Sequence, residues 1–138
     1  MAMTNEEKYE KWLENATEDL VTAEVMLNNG RYAYVAFMCE QALEKLAKGI
    51  YVYTLGKEAP FTHNINAVLN GIDAITSDAQ YGDYEILFGR LTSYYIVGRY
   101  DVYKQQISQS LNQEGCEALL NKAKEAFQWL QSQVILPN

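Results

Sequence analysis

The sequence predicts an all-α protein in which residues 1–138 form a single domain with four long helices and one short helix. Hydrophobic residues make up 49% of the chain and recur at spacings of three and four, which places them on one face of a helix. Only two prolines interrupt this pattern. No segment shows the strict alternation of apolar and polar residues that is typical of a strand.

The first two helices are expected to form an antiparallel hairpin. The first should run from Asn5 to about Asn28, with Thr4 and Glu7 as a candidate capping box at its start. Gly30 can adopt the left-handed conformation that ends a helix. The second helix should run from about Arg31 to about Tyr53, and the short link between the two helices forces them to be antiparallel. The apolar stripe of the first helix consists of Tyr9, Leu13, Ala16, Leu20, Ala23 and Leu27.

Three further helices follow a break at Gly56 and Pro60. Thr62 can cap a short helix that carries four apolar residues. A fourth helix is expected from about Tyr81 to Val97, and a last helix from about Asn112 to Val134. The apolar residues of the short helix are Ile65, Val68, Leu69 and Ile72.

Charge and hydropathy bear on the class of partner. The formal net charge is −7, which argues against unaided binding to RNA or DNA because such binding depends on lysine and arginine displacing counterions. A neutral or basic partner protein fits better. No apolar run approaches the roughly 20 residues that span a bilayer, and the first residues do not form a basic stretch that leads into an apolar one. We therefore expect a cytoplasmic protein that does not enter a membrane.

No metal, cofactor or catalytic triad is expected. His63 is the single histidine, so one chain cannot assemble a Cys/His or multi-His metal site. Cys39 and Cys116 occupy apolar positions of separate helices without CxxC spacing, which favours buried free thiols over a disulfide or a metal site. No glycine-rich phosphate loop is present, and no serine or threonine has identifiable His and Asp partners.

Polar residues at intervals of four mark one edge of the second helix. Glu40, Glu44 and Lys48 share this edge, and the order of Glu44 and Lys48 favours an ion pair between them. The spacing alone favours a solvated face over a functional one. We expect His63 in the first turn of the short helix, with a hydrogen bond to the loop or to the second helix. General acid or base work by His63 is the less favoured alternative.

Residues 90–104 mix cations with aromatic rings. Such a mixture can stack a base and hold a phosphate. The alternative, favoured by residue type alone, is that Tyr94 and Tyr95 pack in the core or in a dimer seam. Arg99 would then pair with Asp101 or with the carbonyl groups that end the fourth helix. The cations of this segment are Arg90, Arg99 and Lys104.

Taken together, these segments resemble the HEPN domain, a small helical domain named for its occurrence in higher eukaryotes and prokaryotes and for proposed nucleotide binding. The resemblance covers nearly the whole chain and depends on the order and spacing of several short pieces. They are Glu18-Asp19-Leu20 to Leu27, Gly30-Arg31-Tyr32, Cys39-Glu40-Gln41-Ala42 with Glu44, Lys45 and Lys48, Phe61-Thr62-His63, and Arg99-Tyr100-Asp101.

The resemblance implies an up-and-down bundle of four long helices plus a short one, commonly paired as a homodimer. Members often act beside a separate minimal nucleotidyltransferase in modules that look like toxin and antitoxin pairs. Other members are metal-independent ribonucleases in which an arginine is followed four to six residues later by a histidine. This chain departs from that ribonuclease motif, because Tyr103, Lys104 and Gln105 occupy the corresponding positions after Arg99.

The missing histidine favours a binding protein over an enzyme, since general acid-base cleavage loses its usual agent. We therefore expect a non-catalytic domain that binds a nucleotide, a nucleotidyltransferase partner or both. One alternative is a ribonuclease with an atypical site around Arg99 that uses Tyr103 and His63. The other is a structural module for dimerisation or assembly. The candidate ligand-binding residues are Arg99, Tyr100, Lys104, Lys45, Lys48 and His63.

Overall fold

A computed structural model describes residues 2–97 and 111–136 of the chain. Within these ranges the protein consists of six helices and contains no strand, which confirms the all-α prediction and its four long helices. The helices are α1 (Asn5–Asn28), α2 (Tyr32–Leu55), α3 (Ile65–Leu69), α4 (Asp73–Thr76), α5 (Tyr81–Val97) and α6 (Gln113–Ser132). None of the described helices is both long enough and apolar enough to cross a membrane.

The α1–α2 hairpin forms as the sequence predicts. The Thr4 side chain accepts a hydrogen bond from the Glu7 backbone N–H at 3.1 Å, and the Glu7 carboxylate accepts one from the Thr4 backbone N–H at 3.1 Å. This reciprocal pair satisfies two donors that the start of a helix leaves without partners. Gly30 takes the left-handed conformation with φ of 69°, and the chain reverses direction there.

α2 is the central helix and packs against α1, α3, α5 and α6. Its apolar residues are therefore buried on several sides, and they contribute a large share of the core. At Gly49 the backbone of α2 comes very close to α1, since an added Cβ would lie 2.6 Å from Cβ of Trp12. Only glycine fits this approach, which fixes the position of Trp12 on α2.

The predicted short helix is divided into two. Ile72 takes an extended conformation and is the N-cap of α4, so α3 and α4 are separate helical turns with a bend between them. The prediction that Thr62 caps α3 is wrong. Asn64 is the cap, because its side chain accepts a hydrogen bond from the Ala67 backbone N–H at 3.1 Å. Thr62 instead accepts a hydrogen bond from the Asn64 backbone N–H at 3.1 Å.

Both cysteines are buried free thiols, as predicted. Burial is the main cause that raises the pKa of Cys39 to about 12, so its reactive thiolate is not populated at neutral pH. Burial also raises the pKa of Cys116. The two residues therefore act as small apolar side chains between α2 and α6.

Candidate functional site

The polar row of α2 is not a solvated face, and that expectation is wrong. Glu40 and Glu44 have relative exposures of 0% and 5%. The spacing of four correctly places them on one edge of the helix, but this edge is covered because α2 has neighbours on several sides. Buried carboxyl groups are costly unless they find partners, so their contacts identify a candidate site.

The Glu44 carboxylate binds two cationic or polar groups from different segments. Lys48 Nζ lies 3.0 Å from Glu44 Oε2, which confirms the predicted ion pair along α2. His63 Nδ1 lies 3.0 Å from Glu44 Oε1 and 3.3 Å from Oε2. A hydrogen bond from Nδ1–H to the carboxylate fixes the orientation of the imidazole ring and leaves Nε2 for other contacts.

Glu40 lies beside Glu44 and shares its buried environment. Gln41 Nε2 donates a hydrogen bond to Glu40 Oε2 at 2.7 Å, while Oε1 has no partner among the described residues. Burial is the main cause that raises the pKa of Glu40 to about 9, and the neighbouring Glu44 carboxylate adds to it. Glu40 is therefore protonated at neutral pH, beside the Glu44 carboxylate that pairs with Lys48.

His63 also belongs to an aromatic stack. Its ring lies 3.7 Å from that of Tyr95, centroid to centroid, with an angle of 16° between the planes. Tyr95 in turn stacks on Phe37 at 6.0 Å and 23°. The His63 side chain is 52% exposed, whereas Tyr95 is buried. Phe37 is also only partly buried, so the stack holds the buried Tyr95 ring between two partly exposed rings.

The loop before α3 is tied to α5 directly. Thr92 accepts a hydrogen bond at 3.2 Å from the backbone N–H of Ile65, the first residue of α3. This contact holds the start of α3 against α5, and His63 in the preceding loop therefore lies next to Tyr95. We call the group formed by Phe37, Glu40, Glu44, Lys48, His63 and Tyr95 the His63 cluster.

The sequence model of the HEPN domain matches residues 9–133. The chain belongs to the HEPN domain family. A crystal structure of TT1696 from Thermus thermophilus has a similar fold, with a TM-score of 0.76 and 22% sequence identity. The similarity covers 92% of this chain and 98% of TT1696, and at this identity it concerns the fold alone. No curated protein matches the chain.

Within this HEPN domain, the predicted ligand-binding residues fall into three groups. Lys48 and His63 meet at Glu44 in the His63 cluster. Lys45 does not join them, because its Nζ lies 2.7 Å from Asp19 Oδ2 and forms an ion pair with α1. The remaining candidates, Arg99, Tyr100 and Lys104, lie outside the described residues, as does Tyr103.

His63 lies in the loop before α3 and not in its first turn, because Asn64 is the cap of the HEPN domain's third helix. The predicted hydrogen bond from His63 to the second helix is confirmed. Tyr95 packs in the interior, as the alternative for the tyrosine-rich segment proposed. Arg90 Nε donates a hydrogen bond to the Tyr94 hydroxyl at 3.0 Å, so this cation and ring interact along α5.

Sequence reasoning did not place Phe37 and Tyr95 beside His63, and it did not predict the burial of Glu40 and Glu44. Contacts of Phe37 with Tyr95 join α2 to α5 across a long stretch of sequence, and no local pattern encodes them. One signal was available for Glu40: residues 32–39, the first two turns of α2, include no charged side chain. A helix that is apolar around most of its circumference is usually buried.

Proposed function

We propose that this HEPN domain binds a nucleotide without cleaving it, with contacts from the His63 cluster and from Arg99 and Lys104. The observation that carries the proposal is the convergence of α2, His63 and α5 at one point. Lys48 and His63 were independent candidates from the sequence, and both contact Glu44. Arg99 follows Val97, the last residue of α5, by two positions.

The cluster offers a nucleobase a surface on which to stack. Tyr95 covers one face of the His63 ring, and half of the His63 side chain is exposed to solvent. A planar base stacked on His63 would extend the row of rings that starts at Phe37. Stacking of this kind contributes about 1–3 kcal/mol per base. In this proposal Arg99 and Lys104 supply the phosphate contacts.

The negative charge of Glu44 at the centre of the cluster is already balanced by Lys48, which fits ligand binding better than catalysis. Lys48 neutralises the Glu44 carboxylate at 3.0 Å, and Glu40 remains protonated. The ribonuclease motif of the family is absent after Arg99. A ligand phosphate would therefore be held by cations outside this balanced group.

Isothermal titration calorimetry with ATP, GTP and short RNAs tests the proposal. We expect heat with at least one nucleotide and an affinity for it at least tenfold lower, about 1.4 kcal/mol, in Arg99→Ala. Arg31→Ala is the matched control, because Arg31 is exposed and its side chain makes no capping hydrogen bond at α2. No heat from any ligand at millimolar concentration would rule out nucleotide binding.

A second candidate function, RNA cleavage, is favoured by one specific observation. Glu44 holds His63 through Nδ1 and leaves Nε2 of a half-exposed ring for proton transfer, as a general acid or base requires. Incubation of the purified protein with total RNA separates the two functions. Degradation of RNA that is lost in both His63→Gln and Arg99→Ala would show that the domain is an enzyme and that binding without cleavage is wrong.

We also propose a homodimer and a separate nucleotidyltransferase partner, in a module of the toxin and antitoxin kind. The support is the family membership together with the net charge of −7, which suits a neutral or basic protein surface. Light scattering should give twice the mass of one chain. Co-purification with a nucleotidyltransferase encoded beside the gene tests the partner. A domain that is monomeric and binds no such partner would contradict this part of the proposal.

A further inference from the structure

A concave surface lies near the start of α1 and the end of α2. It has a volume of about 320 Å³, which is within the range of small-molecule sites. α1 contributes Lys8 and Trp12, one helical turn apart, and α2 contributes Lys48. The loop that follows α2 closes the third side with residues 57–61. We call this surface the lysine pocket.

The charge of the lysine pocket is opposite to that of the whole chain. Lys8, Lys48 and Lys57 line it together with a single acidic residue, Glu58, although the net charge of the protein is −7. In the described part of the chain, neither Lys8 nor Lys57 forms an ion pair. Lys48 is bound to Glu44 at 3.0 Å. Two ammonium groups are thus left to meet an anion at this surface.

Two aromatic rings of unequal exposure accompany these cations. Trp12 is half-buried, and its position is set by the close approach of Gly49, where an added Cβ would come within 2.6 Å of Cβ of Trp12. Phe61 is at the opposite extreme, with a relative exposure of 104%. A fully exposed phenylalanine beside a pocket gains contact area when a flat apolar surface covers it.

We propose that the lysine pocket binds a nucleoside polyphosphate, with the phosphates on Lys8 and Lys57 and the base against Trp12 and Phe61. The pocket combines several cations with two ring faces, which is the pair of features that such a ligand requires. This site is distinct from the proposed nucleotide surface at the end of α5. Lys48 joins the two sites, because it lines the pocket while its ammonium group binds Glu44 of the His63 cluster.

Tryptophan fluorescence reports on this pocket separately from the other site. The chain has two tryptophans: Trp12 lines the pocket, and Trp129 is buried against Tyr84 in the core. Titration with ATP should quench the emission to saturation, and Trp12→Phe should remove the quenching. Tripolyphosphate and adenosine, titrated separately, divide the phosphate contribution from that of the base.

Variants of the pocket complete the test. We expect ATP to bind at least tenfold more weakly to the double variant Lys8→Ala/Lys57→Ala, and at least about fivefold more weakly to Phe61→Ala. Lys11→Ala/Lys122→Ala is the matched control, since both of its lysines are exposed and neither lines the pocket. ATP should quench the tryptophan emission of Arg99→Ala with the same affinity as that of the wild type.

Two outcomes would overturn the proposal. One is quenching by ATP that is unchanged in Lys8→Ala/Lys57→Ala. The other is ATP binding that calorimetry detects, that Arg99→Ala abolishes, and that never quenches Trp12. That second result would leave the proposed function intact while removing the lysine pocket. If ATP produces neither heat nor quenching, both proposals fail.

Discussion

At the scale of single residues, the most unusual feature is a pair of neighbouring buried carboxyl groups on α2. Glu40 and Glu44 are both buried, and one oxygen of Glu40 has no partner among the described residues. Such a group lowers the stability of a fold relative to an apolar residue of the same size. We interpret the pair as a functional element, because Glu44 orients His63 and Lys48 at the candidate site.

Glu40→Gln should stabilise the protein, most of all at alkaline pH. The pKa of Glu40 is raised from an ordinary value of 4.5 to about 9, so the folded state gains stability from its proton at low pH and loses that stability as the pH rises through this window. Glutamine mimics the protonated acid and does not titrate. We expect its unfolding free energy to exceed that of the wild type by about 1–3 kcal/mol at pH 8 and by less at pH 5.

Urea denaturation at the two pH values checks this prediction. Glu14→Gln is the control, because Glu14 is exposed on α1. If the difference in unfolding free energy between Glu40→Gln and the wild type does not grow from pH 5 to pH 8, Glu40 is not protonated in the folded protein.

His63→Ala should destabilise the domain by about 1–3 kcal/mol. The substitution removes the hydrogen bond to Glu44 and the stacking contact with Tyr95, and it leaves a buried carboxylate with one partner fewer. Phe61→Ala, two residues earlier, is a local control because its ring is exposed and contributes little to folding. Equal urea midpoints for His63→Ala and the wild type would show that the stack and the hydrogen bond do not hold the loop.

At the scale of the elements, the boundaries of α1 and α5 could be predicted because local signals define them. The capping box at Thr4 and the periodic apolar residues are contained in the sequence of each helix. The start of α3 could not be assigned in the same way. Thr62 and Asn64 are both good capping residues, and only the folded chain decides that Asn64 caps the helix.

The candidate site was predictable to a similar extent. Lys48 and His63 were identified from the sequence, since residue type and family resemblance both point to them. The burial of Glu44 was not, because a spacing of four gives a shared edge and says nothing about what covers it. Tyr95 reaches His63 through a contact between distant segments, which depends on how α5 packs against α2.

Gly49→Ala should disturb the α1–α2 contact. The new methyl group would lie 2.6 Å from Cβ of Trp12 and 3.4 Å from the Tyr9 ring, so the helices must separate. We expect a loss of about 1–3 kcal/mol in unfolding free energy and a shift in tryptophan emission. Gly89→Ala in α5 is the matched control. Its methyl group would meet only Asn66 at 3.8 Å, and alanine favours the helix.

Gly49→Ala should therefore lower the melting temperature, whereas Gly89→Ala should leave it unchanged or raise it slightly. Thermal unfolding followed by circular dichroism compares them directly. Equal melting temperatures for Gly49→Ala and Gly89→Ala would mean that α1 does not pack tightly on α2 at Trp12.

For the whole molecule, we propose two small regions of ligand contact on a chain with a net charge of −7. The His63 cluster ends in a half-exposed ring, and the lysine pocket combines cations with Trp12 and Phe61. Lys48 contributes to both. Both regions of this HEPN domain therefore include residues of α2, the central helix of the bundle.

An NMR titration of the ¹⁵N-labelled protein with ATP tests nucleotide binding most directly. We predict saturable shifts of the amide signals of His63 and Tyr95 and of the His63 imidazole, with smaller changes at Lys45, which is engaged with Asp19. The Arg99→Ala variant should require at least tenfold more ATP for the same shifts. Signals of His63 and Tyr95 that do not move at millimolar ATP would contradict the proposed nucleotide site.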